Sequence, residues 1–332
     1  DMDYDDPYQD LHIHQEAGYR KLNGDDAMQV VRWRKNNTGS SSGDVARTEV
    51  QQEFLAAVLD TCLQPSTLLK LQNMSHTRPF TDGTEAGLAA SMARAGIDYS
   101  LVLPVATAAR QVCHINDASA RLNEEGQARG ILSLGCMHPD FDGWKEELSR
   151  IASLGLRGIK LHPVYQDVDF DDIRYLRILD RCGELGLIVL THAGLDVGFP
   201  GKVNCSPDMV LRAVEQVGPV TLILAHMGGW KNWDEVEALL PHTSVYLDTS
   251  FSLGSMVPLG DGYYGPNDVG LMGEEQFVRI IRAFGAHRIL FGTDSPWGGQ
   301  AEDLALFRAL PLTQEEQQAI LGDNAQRLFG LT

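Results

Sequence analysis

The sequence is poor in cysteine and in basic residues, and each shortage excludes a class of protein. Its 332 residues include five cysteines, an odd number, and no CxxC pair occurs. Such a set does not form a disulfide framework, so free thiols in a reducing cytosol are expected. With 27 basic against 45 acidic residues, the net charge is −18. A chain of this charge repels phosphate backbones, so nucleic-acid binding is not expected.

Long apolar runs and polybasic stretches are also missing. No run reaches the roughly 18 apolar residues of a membrane span, and no basic cluster favours anionic lipid. The start of the chain, Asp1 to Asp6, is acidic and unlike a signal peptide. The sequence therefore predicts a cytoplasmic protein whose partner is a small molecule, with no role for nucleic acid or membrane.

From Asp82 onward, continuous apolar runs alternate with segments of helical pattern. Leu187 to Thr191 and Val220 to Ala225 are typical of parallel strands that are buried on both faces. We count eight strands, each followed by a helix, beginning with a short strand at about Gln9 to His14. This count predicts an α/β protein with a (β/α)8 TIM barrel. The alternative, an open doubly wound sheet, usually has a glycine-rich phosphate turn after its first strand, where this chain has His-Ile-His.

Residues 17–79 do not follow this alternation. They include a polar glycine- and serine-rich tract at 36–43, typical of a loop, between helical patches at about 25–35 and 45–63. Loops over a barrel mouth commonly shape the substrate pocket. We therefore predict one domain, 1–332, in which 17–79 is a lid inserted after the first strand.

Histidines and one aspartate recur where the predicted strands end. His12 and His14 share one face of the first strand because they are two residues apart. His192, His226 and Asp294 follow the fifth, sixth and eighth strands, whose carboxyl ends converge at the barrel mouth. Three imidazoles and a carboxylate suit one divalent transition metal, zinc or manganese. The predicted ligands are His12, His14, His192 and Asp294, and His226 is placed beside the metal-bound water.

The alternation of side chains along each strand supports this arrangement. Residues two apart point to one face, so Leu190 shares a face with His192, and Leu224 shares one with His226. Leu290 shares a face with Asp294 in the same way. These apolar partners are predicted to line the barrel interior below the polar residues.

Five further residues at strand ends are predicted to contact substrate or to support the site: Lys160, His162, His138, Asp248 and Trp297. His138 and His162 either contact substrate or satisfy loop backbone groups. Asp248 either orients His226 or caps a turn. Lys160 lies one layer below His162, which favours an ion pair with a carboxylate over a modified lysine that bridges two metals. Trp297 either walls the pocket or packs a loop.

Several motifs together resemble one family. They are the HxH of His12 and His14, GIKLHP at 158–163, THAG at 191–194, AHMGG at 225–229 and LFGTDSPW at 290–297. This set is similar to the amidohydrolase superfamily, in its amidohydrolase-related (amidohydrolase 2) branch, which includes enzymes like aminocarboxymuconate semialdehyde decarboxylase. The resemblance implies a distorted barrel with one metal ion, commonly zinc and sometimes manganese. It also implies the ligand set named above, His226 as the catalytic histidine, and pairing as a homodimer.

The leading functional hypothesis is a metal-dependent hydrolase. A metal-activated water would attack a C–N or C–O acyl bond of a small molecule, with His226 and Asp294 managing protons. The alternative is a non-oxidative decarboxylase of an aromatic or unsaturated carboxylic acid. An arginine would then bind the substrate carboxylate, and the candidates are Arg32, Arg34, Arg47 and Arg78. A third hypothesis is a catalytically silent barrel that acts as a binding protein, although the complete set of predicted metal-binding residues argues against it.

Overall fold

The structure is a computed structural model that describes residues 2–6, 11–15, 76–199, 201–265 and 269–331. Its contacts divide the chain into two compact units, 1–70 and 71–332, whereas the sequence predicts one domain with a lid. Residues 17–75, most of that predicted lid, lie outside the described residues, and so do the loop and helices expected within it.

In the first unit, the described residues are two strands, β1 (Met2–Asp6) and β2 (Leu11–Gln15). They form a two-stranded antiparallel sheet in which Asp5 pairs with His12 and Asp3 pairs with His14. The predicted strand at the HxH motif is therefore present. The expectation of a parallel barrel strand was wrong for the pairing that is described, because the chain folds back from β1 into a hairpin.

The strands described in the second unit are all parallel to their neighbours. They are β3 (Ser100–Val102), β4 (Ile131–Ser133), β5 (Gly135–Cys136), β6 (Gly158–Leu161), β7 (Ile188–Thr191), β8 (Leu222–Leu224), β9 (Tyr246–Asp248) and β10 (Ile289–Leu290). β4 and β5 are one run of chain interrupted at Leu134, whose N–H donates to the Val102 carbonyl at 3.1 Å. Counted together, they leave seven strand positions, arranged in space in the order of the sequence.

Helices follow the strands and cover the sheet. They are α1 (Glu85–Ala95), α2 (Val112–Gly126), α3 (Trp144–Ser153), α4 (Pro163–Gln166), α5 (Ile173–Leu185), α6 (Pro207–Gln216), α7 (Trp233–Leu239), α8 (Glu274–Phe284), α9 (Gln300–Arg308), α10 (Gln314–Gln318) and α11 (Asn324–Phe329), with a π-helical turn at Ala319–Asp323. Parallel strands that alternate with helices in sequence order confirm the predicted α/β barrel fold. None of the helices in the described part of the chain is long and apolar enough to cross a membrane.

Two apolar layers pack against the strands. The outer layer joins strand residues such as Leu161 and Val189 to the helices, and the inner cluster holds Leu190 and Leu290, as predicted. The prediction for Leu224 was wrong, because it belongs to the outer layer. Its neighbours in the sequence, Ile223 and Ala225, lie in the inner cluster. The chain turns sharply after β8, so the alternation along that strand does not extend to His226.

The two end strands of the series differ from the middle ones. Every residue of β6 and β7 is buried, whereas every residue of β3 is only half-buried. Among the described residues, β3 has one hydrogen-bonded neighbour, β4. Among the described residues, β10 has a neighbouring strand, β9, on one side. On its other side the chain contacts the C-terminal region, since the Phe291 N–H donates to the Ile320 carbonyl at 3.0 Å. The described residues of this unit thus fill seven of eight barrel positions.

Four cysteines of this unit are free thiols, as the composition predicts: Cys113, Cys136, Cys182 and Cys205. Burial raises the pKa of Cys136 to about 12, so this thiol remains protonated at neutral pH. Cys62 lies outside the described residues.

Candidate functional site

Three neighbouring strands bring three histidines to one edge of the barrel. His162, His192 and His226 follow β6, β7 and β8, and all three are buried. The strand ladder extends to them, since the His192 N–H donates to the Leu161 carbonyl at 3.1 Å. The carboxyl ends of these strands meet, as a barrel requires.

The three imidazoles touch one another in series. The ring of His162 stacks on that of His192, with centroids 4.2 Å apart and planes 10° apart. His192 Nδ1 lies 3.1 Å from His226 Nε2. Burial, with neighbouring positive groups, holds the pKa values of His162 and His192 well below the usual range. Both rings are therefore neutral near pH 7, the state in which imidazole binds a metal.

Asp196 completes this cluster and is not among the site residues predicted from the sequence. Its carboxylate lies 3.6 Å from His162 Nε2 and 3.9 Å from His192 Nε2. Gly194 turns the loop back, with φ at 85°, and an added Cβ there would lie 2.2 Å from the Trp230 N atom. Only glycine fits such a close approach of two backbones. One signal in the sequence could have identified Asp196. It is the short THAG loop, which turns back so that the carboxylate four residues after His192 lies near the end of the strand.

His226 has a left-handed backbone, with φ at 60°, an unfavourable conformation for a residue with a Cβ. Neighbouring groups hold it there. Its N–H donates to Asp248 Oδ1 at 3.0 Å, and its carbonyl accepts from Trp233 Nε1 at 3.0 Å. Its Nδ1 lies 3.1 Å from the Ser250 carbonyl. Asp248 also accepts from the Ser250 N–H at 3.0 Å, so both of its predicted roles, orienting His226 and capping a turn, stay predictions.

Lys160 lies deeper on β6 and is buried. Burial lowers the pKa of its amine, and the charges of Asp248 and Asp294 oppose that effect. Asp248 exerts a stronger effect on this pKa than Asp294, and the ion pair predicted for Lys160 stays a prediction. Nothing in this geometry requires a modified lysine.

Asp294 follows β10 and is exposed. Like His226, it has a left-handed backbone, with φ at 58°, and its carbonyl accepts from the Trp297 N–H at 2.8 Å. Residues in such conformations cluster at functional sites, where the surroundings hold them. Its side chain is in contact with solvent.

The structure gives other contacts for some of the remaining predicted residues and does not describe the rest. His138 Nδ1 accepts from the Asp140 N–H at 3.1 Å, so His138 satisfies its own loop. Trp297 packs against the outer apolar layer, and Arg78 donates to the Leu259 carbonyl at 3.1 Å. For His12 and His14 the structure describes only backbone pairing in β2. Arg32, Arg34 and Arg47 lie outside the described residues.

The cluster has side chains that could hold a divalent ion. Across the described ranges, His162, His192 and Asp196 are the residues whose ligand atoms come together as a group of three. Two neutral imidazoles and a carboxylate are a ligand set that zinc and manganese accept. Of the predicted ligands, His192 belongs to this group and Asp294 does not, so the donor chemistry fits while the predicted set is only partly assembled.

Two family models match parts of the chain. The model described as Amidohydrolase matches residues 74–331, and that of the LytR_cpsA_psr family matches residues 1–100. Among curated proteins, no sequence matches the chain.

Solved structures with the same fold include two decarboxylases and one proposed hydrolase. The 2,6-dihydroxybenzoate decarboxylase from Rhizobium is 18% identical, with a TM-score of 0.57 over 75% of this chain and 88% of that one. A dihydroxybenzoic acid decarboxylase from Polaromonas, solved with manganese and an inhibitor, is 17% identical, with a TM-score of 0.54 over 75% and 86%. A putative 2-pyrone-4,6-dicarboxylic acid hydrolase from Pseudomonas putida is 19% identical, with a TM-score of 0.53 over 79% and 93%.

Proposed function

The chain belongs to the amidohydrolase family, and on that basis we propose that its barrel unit decarboxylates a small aromatic or unsaturated carboxylic acid. The observation that carries this proposal is the buried Lys160 amine beneath His162 and His192, with Asp294 exposed on the rim. This arrangement combines buried nitrogen groups that can hold a substrate carboxylate with a separate group that reaches solvent protons.

Decarboxylation needs a proton donor and a site that holds the carboxylate. In the proposed reaction, the Asp294 carboxyl gives a proton to the ring carbon that bears the carboxylate. The C–C bond to the carboxylate then breaks, its electron pair returns to the ring, and carbon dioxide leaves. Asp294 recovers its proton from solvent, which its exposure permits. No water oxygen enters the product.

The histidines orient the substrate and shield it from bulk water. His226 is held rigidly by Asp248 and Trp233, so its ring has a defined position beside His192. Such preorganised groups stabilise charge better than mobile ones. A divalent ion, when bound, supplies Lewis acidity toward a substrate oxygen. His192 belongs both to the ligand set predicted from the sequence and to the group formed with His162 and Asp196.

Manganese and zinc both suit these donors. The Polaromonas decarboxylase was solved with manganese, which supports our proposal of one divalent ion per chain. Zinc, the metal predicted first from the sequence, and manganese are the two metals to test. The homodimer, the cytoplasmic location and the exclusive use of small molecules stay predictions.

The test uses the full chain supplied with Mn²⁺ or Zn²⁺ and 2,6-dihydroxybenzoate. We expect carbon dioxide release and, in D₂O, one deuterium on the ring carbon that lost the carboxylate. Asp294→Asn should lower the rate by roughly 100-fold or more, the scale of proton-transfer catalysis. Asp167→Asn, on the exposed carboxylate that pairs with Lys202, is the matched control and should retain the rate.

The hydrolytic hypothesis predicts a different isotope result. With an ester, lactone or amide in H₂¹⁸O, hydrolysis places one ¹⁸O atom in the product acid and releases no carbon dioxide. That outcome would overturn the decarboxylase proposal in favour of the first hypothesis from sequence. Binding without conversion across both substrate panels would favour the silent barrel.

A further inference from the structure

Tyr165, in the short helix α4, extends the row of rings formed by the buried histidines. Its ring stacks on that of His162, with centroids 3.7 Å apart and planes 20° apart. His192 also stacks on His162 with a nearly parallel plane, and two such rings can contact a third only on opposite faces. His162 therefore lies between Tyr165 and His192, and Tyr165 borders the cluster on the side away from His192.

The backbone of Tyr165 is held in place by the next residue, Gln166, whose side chain is buried. The Gln166 amide nitrogen donates to the Ala106 carbonyl at 2.8 Å and to the Met137 carbonyl at 2.7 Å. Its amide oxygen accepts from the Tyr175 hydroxyl at 2.6 Å. These bonds join α4 to the segments after β3 and β5 and to α5. Because a buried, fully bonded network rigidifies its surroundings, α4 is fixed beside the site.

A second aromatic ring limits the movement of Tyr165. The ring of Phe199, in the loop after β7, has its centroid 5.4 Å from that of Tyr165 and its plane tilted by 57°. The Phe199 N–H donates to the Asp196 carbonyl at 3.2 Å, so this ring belongs to the same loop turn as Asp196. With one face against His162 and Phe199 packed beside it, the Tyr165 ring has little freedom to turn.

The hydroxyl of Tyr165 has no hydrogen-bond partner among the residues that the structure describes, although the side chain is half-buried. Tyrosine hydroxyls in buried surroundings usually bind a polar group. Burial, with the charges of Asp196 and Asp294, raises the pKa of Tyr165, so the hydroxyl keeps its hydrogen at neutral pH. Because the effect of a charge decreases with distance, this hydroxyl lies near the two carboxylates. It is therefore an available donor at the site.

We propose that Tyr165 contacts the substrate of the barrel unit and that its hydroxyl donates a hydrogen bond to an oxygen of the bound carboxylic acid. This inference rests on the proposed function, because it names a residue that binds the substrate of that reaction. A donor that is already held in place loses little conformational freedom when the ligand binds. Since Asp294 supplies the proton in the proposed reaction, Tyr165 should affect binding more than the rate of the chemical step.

The test compares Tyr165→Phe with the wild type, both as full chains with Mn²⁺. For 2,6-dihydroxybenzoate, KM should rise about 10-fold, the scale of one strong hydrogen bond, while kcat should change by less than about twofold. The melting temperature should stay the same, since the hydroxyl bonds to no other described residue. A lower melting temperature with an unchanged KM would show a structural role and overturn the proposal.

Tyr263→Phe is the matched control. Tyr263 also stacks on a histidine, since its ring centroid lies 3.8 Å from that of His76, and its side chain is exposed. Removing its hydroxyl should leave KM unchanged. An equal rise in KM in Tyr165→Phe and Tyr263→Phe would contradict a specific contact between Tyr165 and the substrate.

Binding is also measured without turnover, in Asp294→Asn chains with and without Tyr165→Phe. We expect Kd for 2,6-dihydroxybenzoate, measured by isothermal titration calorimetry, to be about 10-fold higher when Tyr165 is replaced. The same titration with benzoate identifies the acceptor. An effect on both acids assigns the hydrogen bond to the carboxylate, and an effect on 2,6-dihydroxybenzoate alone assigns it to a ring hydroxyl.

The two measurements separate this inference from the proposed function. If the wild type releases no carbon dioxide but Tyr165→Phe still weakens binding, the proposed function fails and the contact with the acid stands. If the wild type releases carbon dioxide and Tyr165→Phe raises neither KM nor Kd, the role of Tyr165 alone is overturned. Chains that bind neither acid would overturn both.

Discussion

β6 and β7 are buried at every residue, and β3 is half-buried at every residue, although all three are short and rich in apolar residues. The difference follows from their neighbours. β6 and β7 each have a strand on both sides, whereas β3 has one neighbour among the described residues. The buried histidine cluster follows the strands that are flanked on both sides. Asp294, which follows the other end strand, is exposed.

Matched leucine substitutions should reveal this difference most strongly. Leu161→Ala on β6 removes a side chain with no exposed surface and should lower the free energy of unfolding by about 2–5 kcal/mol. Leu101→Ala on β3 should cost roughly 1 kcal/mol, because a half-buried side chain transfers less area from water. Urea unfolding of both variants measures the two values. Equal costs would mean that β3 is as tightly packed as β6.

Asp248→Asn should produce the next largest effect. The carboxylate accepts from the backbone N–H groups of His226 and Ser250, each at 3.0 Å, and an amide accepts more weakly. We expect the free energy of unfolding to fall by about 1–3 kcal/mol and the turnover rate to fall by about 10–100-fold. Ser250→Ala, which removes only the hydroxyl, should have a smaller effect on turnover. An Asp248→Asn enzyme with full activity would show that this carboxylate does not position His226.

Asp303, beside the loop after β10, should show the smallest effect and a distinct pH dependence. Burial, with the charges of Glu302 and Asp294, raises the pKa of its carboxyl to about 7 from 3.8. The folded chain keeps a proton that the unfolded chain loses, so the stability from this group is present below pH 3.8 and lost as pH rises through 7. Asp303→Asn should therefore raise the melting temperature at pH 8 by a few degrees relative to the wild type.

The same comparison at pH 5 provides the control. There the wild-type carboxyl remains protonated in the fold, so the gain from Asp303→Asn should shrink. Asp142→Asn, on an exposed carboxylate, should leave the melting temperature unchanged at both pH values. A gain of equal size at pH 5 and pH 8 would contradict the raised pKa.

Much of the barrel was predictable because its signals are local. Continuous apolar runs and glycine stops predicted Gly158–Leu161 and Ile173–Leu185 with the bounds that the structure has. The side on which Leu224 packs was not predictable, because the turn that begins at His226 depends on contacts with Asp248 and Trp233. A hairpin at HxH was also unpredictable from residue alternation, which is the same for parallel and antiparallel strands.

The α/β barrel, its family and the histidines at the strand ends can be recognised in the sequence, because strand periodicity and short motifs act over a few residues. Which of these residues meet depends on contacts between distant parts of the chain. Asp196 returns to His192 through a loop turned at Gly194, and the hydrogen bonds of His226 reach a different strand end. Two of the predicted ligands lie in a separate unit. Ligand atoms meet through loop geometry and strand order, which a one-dimensional pattern does not contain.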